Sequence, residues 1–388
     1  MEDRAISWHY ILLISLLQIF LLTLPIDGSR IVFKVDEEYE GKNCTAPNGS
    51  TGICLSYNKC RDLTQWKVQN NLRNKSDLLK MFCGNSRIIV CCNQTNPYYS
   101  DSNYISKLNP KGLAILEAVE CSRPKGDRIS KGKKVAMGEY PFMATLEYNV
   151  EGRRFLCAGT LLTSRFVLTA AHCIHSHLIS VRLGEHDLST EIDCTPSSLR
   201  LCLPKPEDYK IEKTIIHPDY MKPRFANDIA LIKLDRDVIR TVNTKPICLP
   251  ITQLVYDNSD SIDYYKIAGW GRTENGTNTD VLQHAEIPHQ KREVCQNIFK
   301  QAGVEITDNQ ICAGGENEVD TCKGDSGGPL FAMVPFTKLG ETEINRQVQF
   351  GIVSFGLSGC GGKTARAAVY TNLFSFMPWI TDIIANNA

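Results

Sequence analysis

The sequence has no excess of charge of either sign. Its 43 Lys and Arg residues match its 43 Asp and Glu residues, so the formal net charge at pH 7 is zero. A nucleic-acid partner held by bulk charge requires a basic face or domain, so this composition argues against one. Hydrophobic residues make up 43% of the chain and charged residues 22%, which is too apolar for wholesale disorder.

The sequence also has little that could cross a membrane. The single long apolar run extends from Ile11 to Leu24, and about 14 residues is shorter than the ~20 that a spanning helix needs. The run is typical of a signal peptide, which we predict over residues 1–28; an uncleaved anchor is the alternative. The position of cleavage stays open, since Ile26 fits poorly before Gly28 or Ser29.

Paired Cys-x-x-Cys sets are absent, which makes a zinc site a weak interpretation of the sixteen cysteines. An even, abundant set behind a leader peptide instead indicates disulfides in an oxidising space. We therefore predict a secreted, extracellular protein. No internal repeat is present, and 388 residues is long for one domain, so we expect two folded units.

Six cysteines lie in the short segment between Cys44 and Cys92. A segment this short buries little hydrophobic core and therefore needs disulfides for stability. The sequence alone leaves all fifteen pairings of the six cysteines open. Acceptor motifs for N-glycosylation begin at Asn43, Asn48, Asn74, Asn93 and Asn275. Their clustering predicts an exposed, glycosylated N-terminal module, followed by a linker over residues 94–128 with a short helix near Leu113–Val119.

From Ile129 onward, short β-type runs alternate with turn residues, which favours an antiparallel sandwich or barrel. The predicted strands are Phe142–Tyr148, Phe166–Thr169, Ile179–Leu183, Ile211–Ile216, Ile229–Leu234, Tyr264–Ala268, Gln349–Phe355 and Ala368–Thr371. The tail from Pro378 to Ile384 has helical spacing, and Pro378 suits the first turn of a helix.

Three motifs carry residues suited to nucleophilic catalysis. Small residues surround Ser326 in Gly-Asp-Ser-Gly-Gly-Pro, a pattern that fits a strained turn presenting a hydroxyl, although a glycine-rich turn with an incidental serine is the bland alternative. The backbone N–H groups of Gly324 and Ser326 could point at one developing oxyanion. His172 follows a β-rich run and precedes a cysteine, and Asp228 opens an apolar strand, where a carboxylate is costly to bury without a partner.

With the order His172, Asp228, Ser326, the chain from Ile129 to the C-terminus resembles the chymotrypsin-like serine peptidases. The resemblance implies a mainly β fold for residues 129–388: a double antiparallel β-barrel with a C-terminal helix. It also implies the roles. His172 accepts the proton of Ser326 and returns it to the leaving amine, and Asp228 holds the imidazole.

The same resemblance implies the substrate-binding residues. Asp320 takes the floor of the pocket for the residue before the scissile bond, which favours Arg or Lys there. Ser354 supports Asp228, and the strand through Gly356 lines the substrate groove. Phe225 forms a wall of the neighbouring pocket. Ala368 stands where trypsins carry glycine and is expected to narrow the main pocket.

The start of the catalytic segment looks like that of a zymogen. Cleavage after Arg128 would free the α-amine of Ile129, which by resemblance inserts and pairs with Asp325 to set the oxyanion hole. Ser130 and Lys131 depart from the family's usual start. A basic linker with no such role is the alternative interpretation of the segment.

Disulfide pairs are also implied by resemblance. The six N-terminal cysteines are similar to those of a clip domain, which we place at residues 43–93. Eight bridges and no free thiol result: Cys44–Cys91, Cys54–Cys83, Cys60–Cys92, Cys121–Cys248, Cys157–Cys173, Cys194–Cys202, Cys295–Cys312 and Cys322–Cys360. The whole chain resembles the arthropod clip-domain serine proteases, and among them the Grass-type proteases of the Toll-activating cascade.

Catalysis of this kind requires no cofactor, but the loop around Glu185 resembles one that binds calcium in several relatives. Glu185 is a candidate ligand, with Asp193 or Glu207 as partners. Calcium prefers six to eight oxygen ligands and the sequence names fewer, so a solvated acidic loop is an equal alternative.

These observations lead to one main hypothesis, a secreted trypsin-like endopeptidase zymogen that activates another protein in an extracellular cascade, in innate immunity through the Toll pathway. Its expected partners are an upstream trypsin-like activator, a downstream zymogen and serpin inhibitors, with no nucleic acid and no membrane after signal removal. Alternatives are a prophenoloxidase-activating or developmental protease and a non-catalytic clip-domain cofactor, which typically lacks the nucleophile that Ser326 supplies here.

Overall fold

The structure is a computed structural model that divides the chain into two units, residues 1–97 and residues 98–388. It describes residues 42–45, 51–56, 83, 89–93, 104–122, 133–152, 154–196, 200–271, 279–315, 325–336, 344–356 and 366–388. The predicted signal peptide lies outside the described residues. Among the described residues, no helix has the length and apolar character needed to span a bilayer.

The described part of the first unit is a small antiparallel sheet held by disulfides. Its strands are β1 (Asn43–Thr45), β2 (Thr51–Ser56) and β3 (Ile89–Asn93), in the order β1-β2-β3. In the described part of this unit, Cys54, Cys83 and Cys91 form a buried cluster, with Cys44 packed against it. A segment this small excludes too little apolar surface from water to fold on that basis, so covalent links replace a core.

The segment predicted as a linker is ordered in its described part and belongs to the second unit. A 3-10 turn covers Ile105–Lys107, and helix α1 (Pro110–Ala118) follows. The helix begins earlier than predicted because the Asn109 side chain accepts hydrogen bonds from the second and third residues of the helix and Pro110 suits the first turn. Gly112 packs directly on the backbone of Thr381, where a Cβ would overlap the carbonyl oxygen.

Six strands form a first closed barrel in the order β10-β7-β6-β5-β8-β9. They are β5 (Met143–Tyr148), β6 (Phe155–Leu161), β7 (Phe166–Thr169), β8 (Leu178–Leu183), β9 (Glu207–Ile216) and β10 (Ala230–Leu234). Of these six strands, β6 alone was not predicted from the sequence. Every residue of β5 and β7 is buried. The side chains that point into the barrel and those that point out of it are therefore both shielded from solvent.

A second barrel has the order β11-β14-β15-β16-β13-β12 and is closed by pairing of β11 with β12. Its strands are β11 (Tyr264–Gly269), β12 (Gln283–Gln290), β13 (Gln310–Gly314), β14 (Pro329–Phe336), β15 (Ile344–Phe355) and β16 (Ala367–Asn372). The short strand β4 (Lys133–Lys134) adds to β12. The two antiparallel barrels confirm the predicted chymotrypsin-like architecture.

Among its described residues, this unit has three further α-helices: α2 (Gln253–Asn258), α3 (Arg292–Phe299) and α4 (Leu373–Asn387). The placement of Pro378 in a first turn was wrong, since α4 begins at Leu373 and carries Pro378 in its interior. The Asn372 side chain caps the helix by accepting from the amide of Phe374 at 3.1 Å. Proline in the interior leaves one carbonyl without its helical donor, a cost that the buried apolar face of α4 offsets.

Candidate active site

His172 stands just beyond the end of strand β7 of the first barrel. It lies in a 3-10 turn, Ala171–Cys173, that follows β7 directly, and a disulfide between Cys157 on β6 and Cys173 fixes that turn. Its backbone amide donates to Asp228 Oδ1 at 3.0 Å, and its ring Nδ1 lies 2.7 Å from Asp228 Oδ2. These two contacts fix the plane of the imidazole and leave its other nitrogen, Nε2, on the opposite side of the ring.

Asp228 is a buried carboxylate with a full set of partners. Besides His172, its Oδ2 accepts from Ser354 Oγ at 2.6 Å, and its own carbonyl oxygen accepts from Thr371 Oγ1 at 2.8 Å. Burial acts to raise the pKa of Asp228, but the hydrogen bonds and charge of His172, together with the Ser354 bond, outweigh it, so the pKa lies below its usual value. The carboxylate is therefore ionised wherever the protein is folded near neutral pH.

Ser326 occupies a turn between the two barrels, just before β14. Its carbonyl oxygen accepts from the amide of Ala158 at 2.8 Å, and the next amide, that of Gly327, donates to Val353 O at 2.9 Å. The neighbour of Ala158 is Cys157, which is bonded to Cys173 beside His172. The backbone of Ser326 is thus hydrogen-bonded to the residue after Cys157, and His172 directly precedes Cys173, so one disulfide links the segments that hold the predicted nucleophile and base.

Gly327 is the residue that permits this approach. Its φ is +78°, and an added Cβ would lie 2.2 Å from Thr169 Oγ1 and 2.5 Å from Ala158 O. Only glycine combines that backbone conformation with so short a distance. The turn that carries Ser326 can therefore press against the strand that leads to His172.

Asp325 places its carboxylate against the chain at the end of β11. Its Oδ1 accepts from the amide of Gly271 at 2.9 Å. An added Cβ at Gly269 or at Gly271 would lie within 2.3 Å of the carboxylate oxygens. Because Gly269 and Gly271 have no side chains, the Asp325 carboxylate can approach the backbone on both sides of Trp270.

The residues predicted to line the substrate groove surround the same site. Ser354 is 7% exposed and contacts Asp228, as the resemblance implies. Ala368 is buried on β16 and faces Gly356, since a Cβ on Gly356 would lie 3.5 Å from the Cβ of Ala368. The ring of Phe225 packs on that of Phe355, with 5.1 Å between centroids.

Several predicted site residues lie outside the described residues. They are the pocket-floor Asp320, the oxyanion-hole Gly324, the activation residues Arg128 and Ile129, and the glycosylation candidates Asn48, Asn74 and Asn275. Asn43 is described and exposed, as an attached glycan would require. Asn93 lies at the end of β3.

Six disulfides join described cysteines: Cys44–Cys91, Cys54–Cys83, Cys121–Cys248, Cys157–Cys173, Cys194–Cys202 and Cys295–Cys312. All six are pairs that the resemblance implies. The other two implied pairs, Cys60–Cys92 and Cys322–Cys360, include cysteines outside the described residues. The sulfurs near His172 are bonded to each other, so they are not thiolate ligands for a metal.

Glu185 and Asp193 form a buried acidic pair in the loop after β8. Glu185 Oε1 accepts from the amide of His186 at 2.9 Å, and Oε2 lies 3.3 Å from Arg182 Nη1. Burial, with the like charge of Asp193, raises the pKa of Glu185 despite these contacts. Asp193 Oδ2 is buried and has no hydrogen-bond partner among the described residues.

A buried carboxylate oxygen without a donor fits a site for a hard cation such as calcium. The third predicted ligand, Glu207, is engaged otherwise. It is half exposed, accepts from Tyr209 Oη at 2.8 Å and lies 3.7 Å from Arg236 Nη2. Of the three predicted ligands, Glu185 and Asp193 are therefore the ones that stay candidates.

Three residues that position the site escaped the sequence analysis. Thr371 holds the backbone of Asp228, Thr169 donates to Ala158 O at 2.8 Å, and Gly271 receives Asp325. Each acts through a contact that depends on how distant strands meet. Only Thr169 had a local signal, since it stands three residues before His172 in a segment already singled out.

Comparisons with known proteins agree with this geometry. The model of the trypsin family matches residues 129–380, and that of the regulatory clip domain of proteinases matches residues 44–92. "Serine protease grass" of Drosophila melanogaster is 37% identical over 89% of this chain and 92% of its own length. "Phenoloxidase-activating factor 3" of Holotrichia diomphalia is 34% identical over 87% of this chain and 93% of its own.

Two further matches extend the comparison. "Spaetzle-processing enzyme" of Drosophila melanogaster is 38% identical over 76% of this chain and 77% of its own length. The crystal structure of the Drosophila Grass clip serine protease of the Toll pathway superposes with a TM-score of 0.65 at 36% identity, covering 90% of this chain and 99% of that one. The chain therefore belongs to the trypsin family of serine proteases and, within it, to the clip-domain proteases of insects.

Proposed function

We propose that the protein is the secreted zymogen of a serine endopeptidase that cleaves after Arg or Lys. The observation that carries this proposal is the hydrogen-bond chain from Ser354 through Asp228 to His172, next to the turn that presents Ser326. A serine hydroxyl is a poor nucleophile without a base held beside it, and this chain supplies an oriented base. A non-catalytic cofactor would have no use for an oriented base beside an intact Ser326.

The mechanism follows from the fixed orientation of the imidazole. Asp228 engages Nδ1, so the neutral ring carries its proton there and Nε2 is the acceptor for the proton of Ser326 Oγ. As Oγ attacks the substrate carbonyl, His172 becomes cationic and the ionised Asp228 stabilises it. His172 then donates the proton to the leaving amine, and a water molecule repeats the sequence to release the acyl group. The amides of Gly324 and Ser326 are the proposed donors to the oxyanion.

Specificity for a basic residue rests on Asp320, which stands six residues before Ser326 in the sequence. A carboxylate at the floor of a closed pocket rewards a cationic side chain and penalises a neutral one. The methyl group of Ala368, buried where the resemblance implies a pocket wall, is expected to alter the balance between Lys and Arg. Replacing Ala368 with Gly should shift that balance.

We propose activation by cleavage between Arg128 and Ile129, with the new amine pairing with Asp325. The Cys121–Cys248 disulfide would then keep the N-terminal chain attached to the catalytic chain. Its retention is aided by packing, because α1 contacts α4 through Gly112 and Asn109 Nδ2 donates to Asp382 Oδ1 at 2.8 Å. Cleaved protein should run as one species on a denaturing gel without reductant and as two with it.

The place in a cascade is proposed from the relatives. Likeness to "Serine protease grass" and to "Spaetzle-processing enzyme" supports a role in the Toll pathway, between an upstream activator and a downstream zymogen, under control by serpins. Likeness to "Phenoloxidase-activating factor 3" favours a second candidate, activation of a prophenoloxidase cascade. Incubating the activated enzyme with zymogens of both kinds and sequencing the new N-termini distinguishes them.

Proteolysis after a basic residue is tested with the full chain, activated by a trypsin-like protease and then purified from it. Fluorogenic peptides with Arg or Lys before the scissile bond should be cleaved, and those with Phe or Leu should not. The variant Arg128→Gln should remain inactive under the same treatment, which excludes hydrolysis by residual activator. Preferred cleavage after Phe or Leu would overturn the specificity assignment.

We further propose that Glu185 and Asp193 hold a calcium ion that stabilises the loop after β8. The ion would neutralise two buried like charges and supply a partner for Asp193 Oδ2. Calcium should raise the melting temperature of the wild-type protein above its value in a chelator. Asp193→Asn should remove most of that shift, whereas a Glu207→Gln variant should keep it.

A further inference from the structure

The loop before Asp228 has an unusual conformation beside the proposed active site. Three residues that are not glycine have positive φ: Met221 (+65°), Phe225 (+66°) and Asn227 (+56°). A left-handed conformation is costly for a residue with a Cβ, and costliest for a bulky one such as Phe225. Backbone strain of this kind persists where surrounding contacts enforce it, and it is common at functional sites.

The contacts that enforce it come from both barrels. Asn227 Nδ2 donates to Asp219 O at 2.9 Å and to Lys222 O at 3.0 Å within the loop. From the second barrel, Gln310 Nε2 donates to Phe225 O at 3.1 Å. The conformation of Phe225 is therefore fixed before any substrate arrives.

The fixed loop presents an aromatic row next to the triad. The ring of Phe225 packs on Phe355 at 5.1 Å between centroids, and Phe355 in turn packs edge-on against the buried Phe299 at 5.2 Å. Phe355 directly follows Ser354, the donor to Asp228. Phe225 and Phe355 are only partly buried, so each leaves part of its ring accessible to solvent or to a bound peptide.

The edge of β15 beside this row is open. On one side β15 pairs with β16 as far as Phe355, but on the other its pairing with β14 ends at Ile352. Among the described residues, no strand covers residues 354–356 on that second side. An extended peptide can add to such an edge by main-chain hydrogen bonds, with alternate side chains pointing the same way.

Arg224 carries a positive charge at this row that has no ion-pair partner in the part of the chain that the structure describes. It is exposed, and its guanidinium lies over the ring of Phe225, 4.7 Å from the centroid. The other charged side chains of the loop are the exposed Asp219 and Lys222, so the exposed part of the loop is net positive.

The stacked guanidinium decides which charge the row attracts. An open aromatic face favours a cation, but here Arg224 already occupies the face of Phe225 and would repel a second cation. By the resemblance, Phe225 forms a wall of the pocket for the second residue before the scissile bond. The next side chain of an extended peptide on the same side is two residues further away, about 6.6 Å along the strand, within reach of Arg224.

We infer that Arg224, held on Phe225, selects substrates with an acidic side chain at the fourth residue before the scissile bond. The inference rests on the proposed function and adds to it a class of substrate: a protein with an acidic residue three positions before the Arg or Lys at which it is cut. Arg224 and Phe225 then act as specificity residues, separate from the pocket that takes the basic side chain.

Three fluorogenic tetrapeptides with Arg before the scissile bond, differing only in a first residue of Glu, Gln or Lys, test this inference. With activated wild-type enzyme, kcat/KM should be about three- to fivefold higher for Glu than for Gln, and lowest for Lys. Arg224→Gln should bring the Glu-to-Gln ratio to one, and Arg224→Glu should invert it. Because the ratio is taken within each variant, loss of folded enzyme cancels.

Arg240→Gln is the matched control, since it removes the same charge from an exposed arginine in the loop after β10. It should keep the wild-type ratio. An equal ratio in the wild type and Arg224→Gln, or an equal loss in Arg240→Gln, would overturn the inference.

A second measurement separates this inference from the proposed function. The same three peptides, fluorescently labelled, are bound to the cleaved Ser326→Ala protein, and affinity is read by anisotropy. If the Glu peptide binds more tightly and this preference disappears when Arg224→Gln is added, the inference is supported. This holds even if no peptide is hydrolysed by the activated enzyme, an outcome that would refute the proposed activity but not the inference. Equal affinities for Glu and Gln peptides would overturn the inference even with full activity.

Discussion

The two barrels contribute to the site by different physical means. The first barrel provides the base and its carboxylate, His172 and Asp228, and the second provides the nucleophile, Ser326. The acid–base part depends on hydrogen bonds that cross between barrels, from Ser354 and Thr371 to Asp228. The position of the nucleophile depends on close approach of the two barrels, since the backbone at Gly327 contacts β7 with no room for a side chain. The site is therefore a property of the junction, and each kind of contact can be broken separately.

The largest effect is expected from removing the nucleophile itself. Ser326→Ala should lower kcat on the order of a millionfold in the activated enzyme, because no other group in the turn can form the acyl bond. The melting temperature should stay near that of the wild type, since the side chains are nearly equal in size. Activity close to wild type in the purified variant would require another nucleophile and would refute the triad.

Disrupting the hydrogen bond between Asp228 and His172 should leave more activity than removing Ser326. Asp228→Asn keeps the size of the side chain but can donate to His172, which favours the wrong tautomer, so kcat should fall by about 10⁴-fold. Steady-state kinetics with a saturating basic peptide measure this. A loss of less than tenfold would mean that Asp228 does not orient the imidazole.

The close approach of the barrels is tested by stability. Gly327→Ala should lower the free energy of unfolding by about 2–5 kcal/mol, since it combines a left-handed backbone with an overlap on Thr169 and Ala158. Gly303→Ala is the control, because Gly303 has a similar φ of +66° and nothing within 4 Å of an added Cβ. Its cost should be only about 1–2 kcal/mol. Equal costs in urea unfolding would show that the junction is not tightly packed.

A smaller effect is expected from loosening the carboxylate. Ser354→Ala removes one donor to Asp228 Oδ2, worth about 1–3 kcal/mol, and should lower kcat by about tenfold or somewhat more. Thr371→Val removes a bond to the backbone of Asp228 and should cost less activity. A larger loss in Thr371→Val than in Ser354→Ala would reverse our view of which contact matters to the carboxylate.

The smallest effect concerns pH and the loop that leads to Asp228. His217 packs on Phe376 and Trp379 of α4, and burial lowers its pKa although Asp219 acts in the opposite direction. With the folded pKa below the unfolded one, the stabilisation is complete above the usual value near 6.5 and is lost as pH falls toward the lower folded value.

His217→Gln should therefore flatten the dependence of unfolding free energy on pH between about pH 7.5 and about pH 5. The stacking contacts are lost at every pH, so the diagnostic is the slope and not the absolute stability. An unchanged slope would assign the acid sensitivity to other groups.

The sequence predicted the architecture and the chemical residues because those signals are local. Short β-type runs such as Phe166–Thr169 match their strand, and the motifs around His172, Asp228 and Ser326 each occupy a few consecutive residues. Strands β6, β12, β13 and β14 were not predicted. In β6, small residues interrupt the apolar pattern; one of them, Gly159, lies where a Cβ would be 2.7 Å from Leu168 O.

Contacts between distant segments could not be predicted in the same way. Nothing near Thr371 in the sequence indicates that its hydroxyl reaches the carbonyl of Asp228. The segment around α1 resembled a linker because its composition is polar and irregular, yet Tyr104 stacks on Tyr256 at 4.6 Å and its hydroxyl donates to Pro250 O at 3.0 Å. Tertiary packing gave that segment an order that its local sequence does not show.

Covalent labelling tests the central claim, that cleavage produces a single activated serine at the junction of the barrels. Full-length zymogen and protein cleaved at Arg128 would each be treated with a fluorophosphonate probe and digested, and the modified peptide sequenced by mass spectrometry. The account predicts one label per cleaved molecule, on Ser326, abolished by Asp228→Asn or His172→Ala, and little or no label on the zymogen. A label on another residue, or none on cleaved protein that remains folded, would contradict it.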